Sequence, residues 1–206
     1  MYRVDRNNFY DKEKPATVYT PHGTSRFLFS ILRPHIKKGL VIDPCVGKGS
    51  LLMPFMNAGY DVLGIDIEEQ GFRGKFLHRN YLEVQKGELP TPELVIMNPP
   101  FNIDRKTRGY IKAHYLSRPL LPEVWLIKAI ELFGREMPIV MFTPYGFRLN
   151  LTEKSKRWTN FIEGVYPEIT SIISLPKNLF ENTLFHSEVL VFNVCGMKGH
   201  YFHGRE

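Results

Sequence analysis

The sequence predicts an α/β protein in which a mostly parallel sheet is covered by helices on both faces. Three observations carry this. Short apolar runs recur along the chain and alternate with stretches of helical apolar spacing. The runs are apolar throughout and not on every second residue, as strands buried on both faces must be. No repeat, low-complexity tract or linker divides the 206 residues, a length that one domain can fold around a single core.

The elements follow in order. Helical spacing in TSRFLFSILRPHI (24–36) predicts a first helix, and GLVID (39–43) a buried strand behind it. After the glycine-rich turn PCVGKG, the pattern SLLMPFMNAG (50–59) reads as a helix that Gly59 stops. DVLGIDI (61–67) and ELVIMN (93–98) are strands, PEVWLIKAIELF (122–133) is a helix, and PIVMFTP (138–144), ITSIISLP (169–176) and SEVLVFNVCG (187–196) are late strands. Sheets of this kind bind ligands at the carboxyl ends of their strands. DPCVGKG, DIEE, NYLE and NPPF all lie at or just past apolar segments, so the four clusters are expected to converge on one rim.

Composition narrows the class. Hydrophobic residues make up 43% and charged residues 23%, and no apolar run approaches the roughly 18 residues of a membrane span. The N-terminus has no apolar targeting core, so a cytoplasmic protein without a membrane partner is expected. Cys45 and Cys195 read as reduced thiols. Cys195 with His200 and His203 matches no zinc spacing, and no metal is expected. The net charge of +6 suits a polyanionic partner. Between Asn102 and Arg118 five cations, Arg105, Lys106, Arg108, Lys112 and Arg118, face one acid, Asp104, with Tyr110 and Tyr115 interleaved. That mixture predicts a substrate loop for phosphates and bases; a solvated loop is its bland alternative.

The glycine turn excludes two familiar phosphate sites. A GxxxxGK[ST] loop would need glycine where Ile42 stands and a hydroxyl residue where Gly49 stands. A GxGxxG fingerprint fails because Pro44 and Val46 occupy glycine places. Asp43 at the strand end would repel pyrophosphate and suit a cationic ligand. Asp66 at the end of the following strand can accept both hydroxyls of a ribose, or cap a helix.

The set DPCVGKG, GIDI and NPPF, preceded by VYTPHG and followed by LPKNLFENTLFHSEVLVF, resembles the S-adenosylmethionine-dependent DNA adenine-N6 methyltransferases. The match is to the group whose cofactor motifs precede the catalytic one, including the modification subunits of type I restriction systems, and it spans roughly Val18 to Val194. The resemblance implies a Rossmann-like methyltransferase fold with a seven-stranded sheet, S-adenosylmethionine as cofactor, and DNA as partner. It implies that Tyr19, Thr20 and Pro21 contact the methionine end of the cofactor. Asp43, Pro44, Cys45, Gly47 and Gly49 would hold its amino-acid moiety, Asp66 the ribose, and Ile67 the adenine face. Asn80 stands where the family has an aspartate that accepts from the cofactor's exocyclic amine; an amide oxygen can accept the same bond, with Tyr81 covering the ring. Asn98, Pro99, Pro100 and Phe101 would form the catalytic motif, Asn98 also bordering the cofactor.

That motif has a physical rationale. The lone pair of an exocyclic adenine amine is delocalised into the ring. Two acceptors for its hydrogens, the Asn98 side-chain oxygen and the Pro99 carbonyl, draw the nitrogen towards tetrahedral geometry and aim the pair. The prolines fix φ and offer no competing N–H, and Phe101 stacks on a base extruded from the helix. Family members that read a defined DNA sequence add a recognition domain after the sheet. The chain runs to Glu206 with no length for one, so the whole is expected to be a single catalytic domain. Specificity is expected to be relaxed, or to come from the basic loop or a partner protein. The same pair of acceptors suits RNA or a protein glutamine amide, and a non-catalytic nucleic-acid-binding subunit is a reading of another class.

Overall fold

The computed structural model describes residues 19–100, 105–115, 121–149, 156–177, 179–180 and 186–204. In chain order these form α1 (His22–Leu32), β1 (Leu40–Asp43), α2 (Met53–Asn57), β2 (Asp61–Asp66), β3 (Lys75–His78) and β4 (Leu94–Met97). There follow α3 (Arg105–His114), α4 (Leu121–Phe133), β5 (Ile139–Pro144), α5 (Arg157–Ile162), β6 (Ile169–Ser174), β7 (Ser187–Phe192) and β8 (His200–Phe202). The strands make one sheet in the order β3-β2-β1-β4-β5-β7-β6-β8. Pairing is parallel from β3 to β5, and β7 runs antiparallel to both β5 and β6.

The continuously apolar strands are explained by two cores. Successive side chains of a strand point to opposite faces, and here both faces are covered. Ile42, Val95, Met97, Ile139, Met141 and Leu190 share one cluster with α3 and α4. Val41, Leu94, Ile96, Val140, Phe142 and Val191 share the other with α1 and α2. No position along β4 or β7 faces water, so none can be polar without a buried partner.

The structure departs from the sequence reading in four places. The sheet has eight strands where seven were expected, because β8 adds a parallel edge to β6 with Ser174 opposite Phe202. It is three residues long and its pattern is half exposed, so no apolar run announces it. β3 escaped for the same reason, having no buried residue. The predicted helix over 50–59 contracts to Met53–Asn57, since Pro54 is tolerated only in a first turn; Gly59, at φ +76°, ends it as expected. The basic segment read as a loop contains helix α3, whose Thr107 and Ile111 are buried and whose Tyr110 hydroxyl donates to the Leu82 carbonyl at 3.0 Å.

A late histidine ties the sheet edge to α1. His203 shares a hydrogen bond with Thr24 at 3.0 Å and stacks on Phe27, with ring centroids 4.7 Å apart. His200 instead joins β8 to β6, sharing a hydrogen bond with the Ser174 hydroxyl at 2.8 Å. α1 thereby has a fixed position, and the residues just ahead of it lie over the carboxyl ends of the strands. No helix among the described residues is long and apolar enough to cross a membrane.

Candidate active site

From β1 the chain crosses to β2 on one side of the sheet, and from β3 it returns to β4 on the other. The crevice between β1 and β4 is therefore the topological switch point, where parallel α/β sheets take their ligands. Three polar residues meet there: Asp43 ends β1, Asp66 ends β2, and Asn98 follows β4. The alternation that puts Val41, Val62 and Ile96 in the α1 core gives Asp43, Asp66 and Asn98 the same parity. All three consequently point to the side on which α1 lies.

Asp43 is 1% exposed, and one carboxylate oxygen accepts the Cys45 N–H at 3.0 Å. Burial pushes its pKa up to about 7; the Cys45 hydrogen bonds oppose that shift and the neighbouring Asp66 charge adds to it. Cys45 is pushed well above the usual thiol range by burial and by the two carboxylates, which makes it an inert neutral thiol. The loop then lies down on β2. The Val46 N–H donates to the Ile65 carbonyl at 3.1 Å and the Gly47 N–H to an Asp66 carboxylate oxygen at 2.8 Å. Gly47 has φ +50°, and at Gly49, with φ +84°, a Cβ would collide with the Phe72 ring. Both positions need glycine, for backbone shape as much as for ligand approach.

The other oxygen of Asp66 accepts the Glu68 N–H at 3.1 Å. No helix follows Asp66, which removes the cap alternative. Its carboxylate faces the glycine loop, in the place expected for a diol acceptor. Beside it Ile67 is 50% exposed, an apolar side chain offered to whatever occupies the rim. Tyr19 arches over the same loop: its hydroxyl donates to Gln70 Oε1 at 2.8 Å, and the Lys48 ammonium sits 4.4 Å from its ring centroid. Gln70 and Lys48 were not anticipated from the sequence.

Thr20 is buried beneath Tyr19, and its hydroxyl accepts from Asn98 Nδ2 at 3.2 Å. This single bond joins the segment ahead of α1 to the segment after β4. It also orients the amide: with Nδ2 engaged, Oδ1 is left buried with no hydrogen-bond partner among the described residues. A buried acceptor without a donor costs about 1–3 kcal/mol, so the oxygen calls for a partner such as an ordered water or a bound ligand. Pro99 and Pro100 follow, the first buried and the second half-buried.

Two expected cofactor residues sit differently. Asn80 caps the turn Tyr81–Glu83, its oxygen accepting the Leu82 N–H at 3.1 Å while its Nδ2 donates to Glu83 Oε1 at 3.2 Å. NYLE carries the capping pattern of Asn followed three residues later by Glu, and that signal was legible. Tyr81 is 2% exposed, and burial pushes its phenol well above the usual range; it belongs to the core. Phe101 and Arg118 lie outside the described residues, as does the Arg105 side chain. Lys106, Arg108 and Lys112 are all exposed on α3, opposite its buried face.

Solved structures superpose on this fold. A protein from Listeria monocytogenes assigned to the class I S-adenosylmethionine-dependent methyltransferases superposes with a TM-score of 0.66 at 17% identity, over 89% of this chain and 65% of that one. The fold is that of these methyltransferases. A modification subunit assigned to a type I restriction enzyme from Vibrio vulnificus gives 0.67 at 14% identity, covering 92% of this chain and 48% of its own. The type I restriction-modification methyltransferase subunit from Streptococcus thermophilus gives 0.62 at 18%, covering 93% and 48%. The methyltransferase-like chain thus spans about half the length of the two subunits it matches. No protein-family model and no curated protein matches the sequence.

Proposed function

We propose that the chain transfers a methyl group from S-adenosylmethionine to the exocyclic N6 amine of adenine in DNA. The observation that carries this reading is the Asn98 amide, anchored by Thr20 through Nδ2, with its buried oxygen left without a donor. An amine hydrogen is the donor that oxygen lacks, and the Pro99 carbonyl is the second acceptor an NH₂ requires.

The residues at the rim fit the cofactor. Asp43 offers a carboxylate to an ammonium group, Asp66 to a ribose diol, and Ile67 an apolar face to a purine. Asn80 keeps one lone pair of its oxygen for an adenine amine. When bound, the cofactor supplies an electrophilic methyl on a cationic sulfur. The chain's own part is to hold the amine hydrogens at Asn98 Oδ1 and Pro99 O, to aim the nitrogen lone pair, and to exclude water from the crevice. Positioning and electrostatics carry such a reaction. Phe101 stacks on the extruded base, and the cations of α3 meet the phosphate backbone. Relaxed specificity, or specificity supplied by a partner protein, completes the reading; two of the similar structures are themselves named as subunits.

Incubating the protein with methyl-labelled cofactor and duplex DNA, single-stranded DNA, RNA or protein tests it. Label is expected in DNA as N6-methyladenine, with none for Asn98→Ala. Label confined to RNA or protein would overturn the DNA substrate, and failure to bind S-adenosylmethionine in calorimetry would overturn the activity.

A further inference from the structure

Beyond β5 the chain builds a feature that none of the motifs accounts for. The Tyr145 N–H donates to the His186 carbonyl at 2.9 Å, extending the β5–β7 ladder one step past Pro144 and Ser187. Its backbone is therefore held as rigidly as the sheet, while its side chain is 69% exposed. Gly146, at φ +77°, then turns the chain so that Phe147 plunges into the core. The Phe147 carbonyl accepts from Arg157 Nε at 3.1 Å, and Arg157 is itself buried against Glu123 at 2.8 Å. The turn is fastened on both sides of the exposed ring.

Arg148 completes it. Its Nη1 lies 2.6 Å from Glu188 Oε1, a carboxylate 3% exposed on β7 and opposite Thr143 in the register. The guanidinium is one-quarter exposed, and a guanidinium has five N–H donors, of which this bond uses one. Glu188 thus aims a fork whose free donors remain available to an anion.

Both residues follow the strand next to β4, Tyr145 directly and Arg148 in the turn Phe147–Leu149. The pairing of Met97 with Met141 sets Asn98 level with Phe142, and Tyr145 lies three residues further out, about 10 Å at ~3.3 Å per residue. The exposed cations Lys106, Arg108 and Lys112 occupy the helix that leads from β4 towards β5. An exposed aromatic ring, an oriented guanidinium and a cationic helix are the groups that match the alternation of base and phosphate along a nucleic-acid strand.

Resting on the DNA reading above, we propose that Tyr145 and Arg148 form the far wall of the substrate cleft. Tyr145 stacks on a base of the target strand, and Arg148, positioned by Glu188, contacts the adjoining phosphate. The wall is built before substrate arrives, so it adds affinity without an ordering cost.

The test compares the full-length wild type with Tyr145→Ala, Tyr145→Phe, Arg148→Gln and Arg148→Lys. It measures KM and kcat on unmethylated plasmid DNA, the salt dependence of binding to a labelled 30-base-pair duplex, and S-adenosylmethionine affinity by calorimetry. Tyr145→Ala is expected to raise the DNA KM about tenfold, Tyr145→Phe to restore it, and neither to move cofactor affinity more than twofold. Arg148→Gln is expected to lower the salt slope by about one. If that variant fails to fold for want of a partner for Glu188, Arg148→Lys retains the charge and should raise KM without changing the slope. A DNA KM within twofold of wild type for Tyr145→Ala, or equal losses in DNA and cofactor binding, would overturn the wall while leaving the activity standing. A wild type that labels only RNA or protein would overturn the substrate assignment, and the wall with it.

Discussion

The two halves of the rim use opposite chemistry. Around β1 and β2 the polar groups are carboxylates and backbone amides, Asp43 and Asp66 both accepting from the loop after β1, through the Cys45 and Gly47 N–H groups. Around β4, α3 and β5 they are an uncharged amide, two prolines and a set of cations. The difference matches what each half is proposed to hold. A cationic sulfonium and ammonium call for acids, whereas a polyanion would be repelled by them at close range. Asn98 lies on the border, and an aspartate there would bring a third negative charge beside Asp43 and the incoming strand. Its amide supplies the acceptor without the charge.

If the halves are separate machines, each variant should move one ligand and spare the other. Asn98→Ala removes the acceptor at the border. It is expected to lower kcat by at least about 10²–10³-fold, the scale of a preorganised polar group in catalysis, while S-adenosylmethionine affinity in calorimetry stays within a few-fold. Substantial remaining turnover would break the comparison at its centre.

Asp43 probes the acidic half through pH. Burial raises its pKa from the ordinary carboxylate value of 3.8 to about 7 in the folded protein. Between those limits the folded state holds a proton that the unfolded state has lost, so stability falls as pH rises through that window, by an amount on the order of a few kcal/mol. Melting curves at pH 5 and pH 8 should show this loss in the wild type and a flatter response in Asp43→Asn. Cofactor affinity should move the opposite way, rising through pH 7 as the carboxylate ionises, and Asp43→Asn should abolish that rise.

The basic half is tested by Lys106→Gln, Arg108→Gln and Lys112→Gln together. Losing three exposed cations should reduce the salt slope of DNA binding by about 2–3 and leave cofactor affinity unchanged. Thr20→Val makes the smallest change. It deletes the hydroxyl that orients Asn98, a neutral hydrogen bond worth about 1 kcal/mol, and should lower kcat severalfold without a change in DNA KM. A shift in DNA KM would mean that Thr20 touches substrate and does more than orient the amide.

The comparison also explains which parts were readable in advance. Strands β1, β2, β4, β5 and β7 each carry an apolar run because two cores cover them, and that pattern survives in the sequence. β3 and β8 lie at the sheet's edges, where pairing is by backbone and the side chains are half exposed, so no pattern marks them. α3 hid behind its composition: a glycine and four cations in ten residues read as loop, and its buried face is only Thr107, Tyr110 and Ile111. Asn80 was readable as a cap from the local pattern NYLE, and the turn obeys that signal.

Sequence by itself determined the acids, glycines and prolines that end the strands, since strand ends and turns are dictated by residues a few positions apart. It determined the layered fold for the same reason, through short continuous apolar runs alternating with stretches of 3.6-residue spacing. Tertiary structure alone decided how those ends meet. Thr20 and Asn98 are 78 residues apart, and nothing local relates them. Strand order brings them together, strand parity turns Asn98 towards α1 and Thr20, and burial turns an ordinary asparagine into an oriented acceptor whose lone pairs are unengaged among the described residues.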